Sequence, residues 1–145
     1  MKKILVGFLA LSLVAVTSCK KNEAMDDTQI PEPIKTYVRT NFNGNEITEC
    51  KVEKEGFSRF YDVQLTSNSV SLRFTETPEI QEIHSSTELP ETVIDPAIDK
   101  YVDNNYAPSV ITDWILDTKK KMQTVRLNNG KRLEFNSSGD FQREL

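Results

Sequence analysis

Residues 94–116, IDPAIDKYVDNNYAPSVITDWIL, contain the two periodicities that decide the fold. The first part has apolar residues three and four positions apart, which stack on one side of a helix: Ile94, Ala97, Ile98, Tyr101 and Val102. Asp95 followed by Pro96 is a typical helix start, because aspartate caps free amides and proline lacks the amide that this position leaves unpaired. A helix of about ten residues does not persist alone. We therefore expect its apolar side to be buried against another element.

The second part alternates between apolar and polar residues, which predicts a strand with one apolar side. Thr112, Trp114 and Leu116 alternate with Asp113, Ile115 and Asp117. Similar alternation follows around Val125 and Leu127 and around Leu133 and Phe135, and Asn129-Gly130 between them predicts a type I′ hairpin turn. Such alternation is typical of an antiparallel sheet that is covered on one side only.

The same pattern occurs once before in the chain, 64 residues earlier at first and 61 residues earlier at the end. Ile34, Tyr37, Val38, Phe42 and Ile47 correspond to Ile98, Tyr101, Val102, Tyr106 and Ile111, and Leu72 and Phe74 correspond to Leu133 and Phe135. The order of these pairs predicts two tandem copies, about residues 30–84 and 90–145. The predicted fold is α+β: each copy has a helix, begun in the first by Pro31 or Pro33, and then three or four antiparallel strands. The helices lie on one face of the sheet, the two copies can share one continuous sheet, and a linker from His84 to Pro90 joins them.

The first residues have the features of a secretion signal. Lys2 and Lys3 precede an apolar run over residues 4–16, which is too short to span a bilayer. Val16-Thr17-Ser18-Cys19 resembles the lipobox of bacterial lipoproteins, in which the cysteine is lipidated. We predict a signal peptide over residues 1–18, lipidation at Cys19 and a flexible polar tether over residues 19–29. The residue after Cys19 is Lys20 and not an aspartate, which would be a signal for retention in the inner membrane. This favours attachment to the outer membrane.

Composition excludes several functional classes. A chain of 145 residues with 37% hydrophobic and 28% charged residues is long enough for one folded domain. The formal charge of −4 becomes −6 when Lys2 and Lys3 leave with the signal peptide, so nucleic acid is disfavoured as a partner.

The residues needed for catalysis or metal binding are sparse. His84 is the only histidine, and Cys50 is the only thiol left once Cys19 is lipidated. We expect His84 to lie in a solvated loop and Cys50 to be a small buried apolar residue. No Cys/His cluster suits zinc and no glycine-rich loop suits a phosphate, so we predict no metal, no cofactor and no enzymatic activity. Asp95, Asp99 and Asp103 could attract a cation, but a solvated helix face is the preferred interpretation.

The helix with its tyrosine, the Val-x-Leu strand, Asn129-Gly130 and the Leu-x-Phe strand resemble the PepSY-like, beta-lactamase-inhibitor-protein-like domains of secreted bacterial lipoproteins. The resemblance covers about residues 30–145. It implies a helix packed on a small antiparallel sheet in each copy, and a sheet surface as the place where a partner binds. Two departures are Ser67-Asn68-Ser69 in place of Asn-Gly and Gln123 in place of the counterpart of Tyr61. No inhibitory residue can be transferred, because the shared motifs are core positions.

The polar side of the sheet is the predicted partner-binding surface, because apolar and arginine side chains among polar ones are typical of protein interfaces. Its residues are Phe60, Asp62, Gln64, Arg73, Ile115, Met122, Arg126 and Arg132. The leading hypothesis is a lipid-anchored, non-enzymatic module whose open sheet face binds a protein or peptide. Inhibition of that partner is one form of this hypothesis. The alternative is a small-ligand-binding or accessory envelope lipoprotein with a cleft instead of a flat face. Lys119-Lys120-Lys121 indicates a hairpin turn that could also touch anionic headgroups.

Overall fold

The described part of the chain forms two α-helices and one nine-stranded sheet. The structure is a computed structural model that describes residues 23–66 and 69–145. The predicted signal peptide, Cys19, and Ser67 and Asn68 lie outside the described residues. The helices are α1 (Glu32–Asn41) and α2 (Pro96–Tyr106), and the strands are β1 (Glu23–Ala24), β2 (Ile47–Glu55), β3 (Ser58–Leu65), β4 (Ser71–Thr75), β5 (Ile80–His84), β6 (Ile111–Asp117), β7 (Met122–Leu127), β8 (Arg132–Asn136) and β9 (Phe141–Glu144).

All neighbouring strands are antiparallel, and their order in the sheet is their order in the chain. One row of directly opposed, buried side chains crosses seven strands: Cys50, Val63, Leu72, Ile83, Trp114, Val125 and Leu133. Ile34 and Val38 of α1 and Ile98 and Val102 of α2 belong to the same core. Both helices therefore cover this one face of the sheet, and the predicted α+β class with an antiparallel sheet is confirmed.

The helix starts follow the predicted chemistry. Asp95 caps α2, since its Oδ1 accepts a 2.8 Å hydrogen bond from the Ala97 amide, and Pro96 is the first helical residue. In α1, Pro31 stands at the cap without a side-chain hydrogen bond and Pro33 lies in the first turn. Proline fits both first turns because the amides there have no partner within the helix.

The hairpin between β7 and β8 forms where Asn129-Gly130 predicts it, but the predicted type I′ turn is wrong. Gly130 has φ +89°, whereas Asn129 is not among the residues with positive φ. The Gly130 amide donates to the Leu127 carbonyl at 2.9 Å, and the Leu127 amide donates to the Lys131 carbonyl at 2.9 Å. These bonds define a type I turn closed by a bulge at Gly130. In the first half, Ser69 with φ +49° precedes β4 as Gly130 precedes β8.

The predicted linker begins too early, and the predicted solvated loop at His84 is wrong. Residues 80–84 form β5, which pairs with β4 and β6 and joins the two halves into one sheet. Ile83 is completely buried between Leu72 and Trp114, and this burial holds the strand in place. His84 is consequently the last residue of a strand.

The predicted tether is also wrong for residues 23–29, which have regular structure. β1 pairs with the middle of β2, and the Met25 amide donates to the Cys50 carbonyl at 2.8 Å. A 3₁₀ turn follows at Asp27–Gln29, and Lys35 of α1 forms a 2.9 Å ion pair with Asp27. Pairing satisfies backbone groups on the outer edge of β2, which is the reason that a polar stretch is ordered here.

The two halves fill the core differently at one position. Trp114 of β6 occupies the place in its half that Cys50 of β2 occupies in the other. Gln123 stands beside Trp114 as Tyr61 stands beside Cys50, and the Gln123 Oε1 accepts a 2.9 Å hydrogen bond from the indole Nε1. The first half thus has the small Cys50 beside the large Tyr61. The second half has the large Trp114 beside Gln123, which accepts the hydrogen bond of the buried indole N–H.

Candidate partner-binding face

The side of the sheet opposite the helices is called here the open face. Its central row of directly opposed residues runs Lys51, Asp62, Arg73, Glu82, Ile115, Thr124, Glu134 and Arg143. Strand parity places the eight predicted binding residues on this face: Phe60, Asp62, Gln64, Arg73, Ile115, Met122, Arg126 and Arg132. Their role in binding stays a prediction, whereas their common location is a property of the register.

Arg73 is the centre of an ion-pair cluster on β2, β3 and β4. Its Nε donates to Asp62 Oδ1 at 2.7 Å, its Nη1 donates to Glu55 Oε1 at 2.9 Å, and its Nη2 donates to Glu53. These hydrogen bonds, above all that to Asp62, raise the pKa of the guanidinium. Only 22% of the Arg73 side chain is exposed, so this cation is held in one geometry before any partner arrives.

Phe60 packs under this cluster. The Arg73 guanidinium carbon lies 5.3 Å from the centre of the Phe60 ring, which is a cation–π geometry. Phe60 is half-buried, as are Ile115 and Met122 on later strands. The apolar residues of the open face are therefore partly covered by their own polar neighbours.

His84 lies among acidic groups at the junction of the two halves. Its Nδ1 is 2.7 Å from Asp113 Oδ1, and its Nε2 is 3.3 Å from Glu82 Oε2. Asp113 is only 8% exposed, and its other oxygen accepts a 2.7 Å hydrogen bond from the Thr112 hydroxyl. Contacts with His84 and Thr112 stabilise a carboxylate that would otherwise be buried at high cost.

Arg126 and Arg132 form a pair of like charges. They are directly opposed on β7 and β8, and both are exposed. Arg126 has one acidic neighbour, Asp113, at 3.9 Å, and no ion pair or side-chain hydrogen bond joins Arg132 to any described residue. Like charges directly opposed on a sheet are destabilising, so this pair is unfavourable to the stability of the fold.

A depression of about 370 Å³ lies on β3 to β5, beside Arg73 and His84. It is lined by Gln64 and by charged or hydroxyl side chains. Its walls include Asp62, Ser71, Arg73, Glu82 and His84. Its polar lining does not favour an apolar small ligand.

The predicted binding residues did not include five further residues of this face: Glu53, Glu55, Glu82, His84 and Asp113. Glu82 and His84 were missed because residues 80–84 were not recognised as a strand. The alternation that places Arg73 on the open face would place both of them there once β5 is known. Alternation along β6 places Asp113 on the polar side of that strand. The sequence does not show that neighbouring strands bury it.

Metal-binding clusters and membrane-spanning helices are both absent from the described residues. Within residues 23–66 and 69–145, no group of three His, Cys, Asp or Glu side chains is arranged to hold a metal ion. In the same ranges, no helix is long and apolar enough to cross a membrane.

Comparison with known protein families identifies the class of protein to which this fold belongs. The chain matches, over residues 15–82 and again over residues 59–143, the family described as "Putative beta-lactamase-inhibitor-like, PepSY-like". The chain belongs to this PepSY-like family, which confirms the resemblance found in the sequence. Two matches across the chain are consistent with a tandem arrangement.

Solved structures of similar fold cover nearly the whole chain. Two are proteins of Bacteroides vulgatus, each described as a "putative periplasmic protein" and one as of unknown function. Both are 25% identical, with TM-scores of 0.77 and 0.78, and the alignments cover 88% and 86% of this chain and 98% and 99% of those chains. A third, from Bacteroides thetaiotaomicron, is described as a "putative calcium-regulated periplasmic protein" and is 22% identical, with a TM-score of 0.78 over 86% of this chain and 96% of that chain. A search of curated proteins gave no match.

Proposed function

We propose that this protein is a non-enzymatic binding module of the cell envelope whose open face holds an acidic segment of a protein or peptide partner. The observation that carries the proposal is the exposed pair Arg126 and Arg132, whose repulsion an incoming carboxylate would relieve. Arginine is the residue that binds carboxylates with two hydrogen bonds, which gives such a contact geometric specificity.

The Arg73 cluster supports the binding of a protein surface but not the contact with the acidic segment, since three carboxylates already neutralise its cation. Binding is costly when long side chains must be ordered, and Arg73 is already ordered by Asp62, Glu53 and Glu55. The half-buried Phe60 ring beneath it adds an aromatic contact at the edge of the face. A flat face with these residues suits a protein better than a small molecule. The inhibitor-like description of the family fits a role without catalysis.

Location is part of the proposal. The descriptions of the Bacteroides relatives support a secreted or periplasmic protein. The lipobox-like Val16-Thr17-Ser18-Cys19 adds the finer proposal, in which lipid chains on Cys19 hold the module at the outer membrane.

We also infer that the two halves are tandem copies of one unit. Tyr37 lies edge-on to Phe74 with centroids 5.3 Å apart and ring planes at 87°, and Tyr101 lies edge-on to Phe135 at 5.5 Å and 82°. Tyr37 and Phe42 are 6.4 Å apart at 44°, while Tyr101 and Tyr106 are 6.3 Å apart at 44°. Equal geometry at positions 64 or 61 residues apart supports a common origin for the two halves.

A capture experiment with charge reversals tests the binding proposal. The full-length protein, solubilised from membranes, is immobilised and exposed to envelope extract as wild type, as Arg126→Glu/Arg132→Glu, and as Arg39→Glu/Lys100→Glu. The last variant has the same change in net charge on exposed helix positions. We expect salt-sensitive capture that the open-face variant loses and the helix variant keeps. Equal capture by both variants would reject the open face as the binding surface.

A further inference from the structure

The meander places four hairpin turns at one end of the sheet, which is called here the tip end. They are the turns that follow β2, β4, β6 and β8. Strands of an antiparallel meander reverse direction at each turn, so alternate turns share an end. The turn after β2 contains Gly56 and Phe57, and the turn after β6 contains Lys119, Lys120 and Lys121.

Phe57 is fully exposed at the tip end, the most exposed large apolar side chain of the described chain. Gly56 precedes it with φ +62°, a conformation that favours glycine and allows the tight turn. A phenyl ring at the summit of a turn adds nothing to the core of the protein. It is available to an apolar environment outside it.

Cationic side chains surround this ring. Phe57, Arg59 and Lys119 line one depression of about 500 Å³, in which Glu76 and Thr77 of the turn after β4 lie between the other two turns. Lys119, Lys120 and Lys121 are exposed, and Arg59 is directly opposed by Lys54, a second pair of like charges. Glu55 and Glu76 also line this depression, and Glu55 is paired with Arg73. Asp117 accepts hydrogen bonds from the Lys119 and Lys120 amides and forms a 3.5 Å ion pair with the Lys120 side chain. Arg59, Lys119 and Lys121 form no ion pair with any described residue, so these cations near Phe57 are available to an anionic surface.

The amino-terminal segment reaches the sheet from the same end. β1 is antiparallel to β2, with Glu23 opposite Val52 and Ala24 opposite Lys51. Because β2 runs toward Phe57, Glu23 is the end of β1 that lies nearer to Phe57. Cys19 precedes Glu23 by four residues in the sequence, and four residues of any conformation span at most about 14 Å.

We infer that the tip end is a membrane-contacting surface, with Phe57 in the headgroup layer of a phospholipid bilayer and Arg59 and Lys119–Lys121 on its phosphates. Aromatic rings favour the membrane interface, and basic clusters bind anionic lipid surfaces. A short anchor that emerges at this end would hold these residues at the bilayer. The strands then run away from the membrane, and the open face remains free for a partner. This inference rests on lipid anchoring at Cys19, which is part of the proposed function.

Fluorescence from a labelled position measures this contact directly. Phe57→Cys is labelled with an environment-sensitive dye in the full-length lipoprotein and reconstituted in vesicles of phosphatidylethanolamine and phosphatidylglycerol. Cys50 is 1% exposed and does not compete for the dye in the native protein. Asn43→Cys, in the exposed loop before β2 at the opposite end of the sheet, is the control position.

We expect a blue shift and quenching by lipids brominated on the upper acyl chain at position 57, and neither at position 43. Lys119→Gln/Lys120→Gln should reduce the quenching at position 57 about twofold, since each lysine near an anionic surface adds to the attraction. Mass spectrometry of the same preparation reports lipid on Cys19. Lipidated protein with equal signals at both positions would overturn the membrane contact alone, whereas protein without lipid would overturn the anchoring and this inference together.

Discussion

Arg126 and Arg132 lie directly opposite each other on β7 and β8, on the face of the sheet that no described helix covers. Because no ion pair joins Arg132 to an acidic side chain of the described residues, the repulsion within the pair is a local cost to the fold. Interaction surfaces are often less favourable for stability than their surroundings, since groups selected for a partner are unsatisfied without it.

The first prediction follows from that cost. Arg132→Glu should place opposite charges across the strands and raise the free energy of unfolding by about 0.2 to 1 kcal/mol. The same substitution should weaken partner capture. Urea denaturation at low salt measures the first effect.

Arg143→Glu is the matched control for Arg132→Glu. Arg143 Nε forms a 2.7 Å ion pair with Glu134, and Arg143 is 65% exposed, so reversal of its charge should lower stability by a similar small amount. If Arg132→Glu destabilises the protein as Arg143→Glu does, the interpretation of the arginine pair is wrong.

The second prediction concerns two glycines with similar backbone angles and different surroundings. A Cβ on Gly139 would lie 2.8 Å from the Ala97 Cβ at the start of α2, whereas a Cβ on Gly130 would meet no atom within 4 Å. Gly130→Ala should cost about 1 to 2 kcal/mol through its positive φ alone. Gly139→Ala should cost about 2 to 4 kcal/mol, because overpacking against α2 is added. Equal losses in thermal or urea unfolding would show that α2 does not pack on this turn.

The third prediction is a loss of stability at alkaline pH through Cys50. Burial, with a smaller contribution from Asp62, raises the pKa of the Cys50 thiol to about 11 from an ordinary value of 9.0. The folded protein thus keeps a proton that the unfolded chain loses first. This contribution is complete below about pH 9 and is lost as the pH rises to about 11. Burial also raises the pKa of Tyr37 to about 12, which extends the loss to higher pH.

Cys50→Ala isolates the effect of the thiol. Urea unfolding under reducing conditions should show a steeper decline in stability between pH 9 and 11 for the wild type than for this variant. Parallel declines would mean that the thiol does not titrate differently in the folded and unfolded states.

The fourth prediction concerns the buried pair Trp114 and Gln123. Gln123→Leu leaves the indole N–H without its acceptor and should cost about 1 to 3 kcal/mol. Trp114→Phe/Gln123→Leu removes donor and acceptor together, so its loss should be smaller than the sum of the two single losses. Circular dichroism is the suitable probe, because Trp114 is the only tryptophan. Strict additivity would contradict the hydrogen bond.

The sequence predicted the helices, most strands and the composition of the open face, because these depend on side-chain periodicity. Alternation from Arg73 or Arg126 identifies the polar side of a strand whatever its neighbours are. Asp95-Pro96 identified the start of α2 for the equally local reason that a helix start leaves amides unpaired.

The failures occurred where periodicity is broken or absent. Ile80 and Ile83 both lie on the core side although they are three residues apart, because a bulge in β5 adds a residue between them. That spacing concealed β5 and with it the position of His84. Residues 23–24 are ordered by backbone pairing, which has no side-chain signature, and the exposure of Phe57 depends on a turn whose surroundings the sequence does not give.

Photo-cross-linking in living cells tests the binding face most directly. A photoreactive phenylalanine derivative replaces Ile115 in the middle of the open face or, in a separate strain, the exposed Asn104 on α2. The account predicts a discrete cross-linked partner from position 115, absent from position 104 and lost when Arg126→Glu/Arg132→Glu is added. Cross-links from position 104 alone, or cross-links from position 115 that survive the charge reversal, would contradict it.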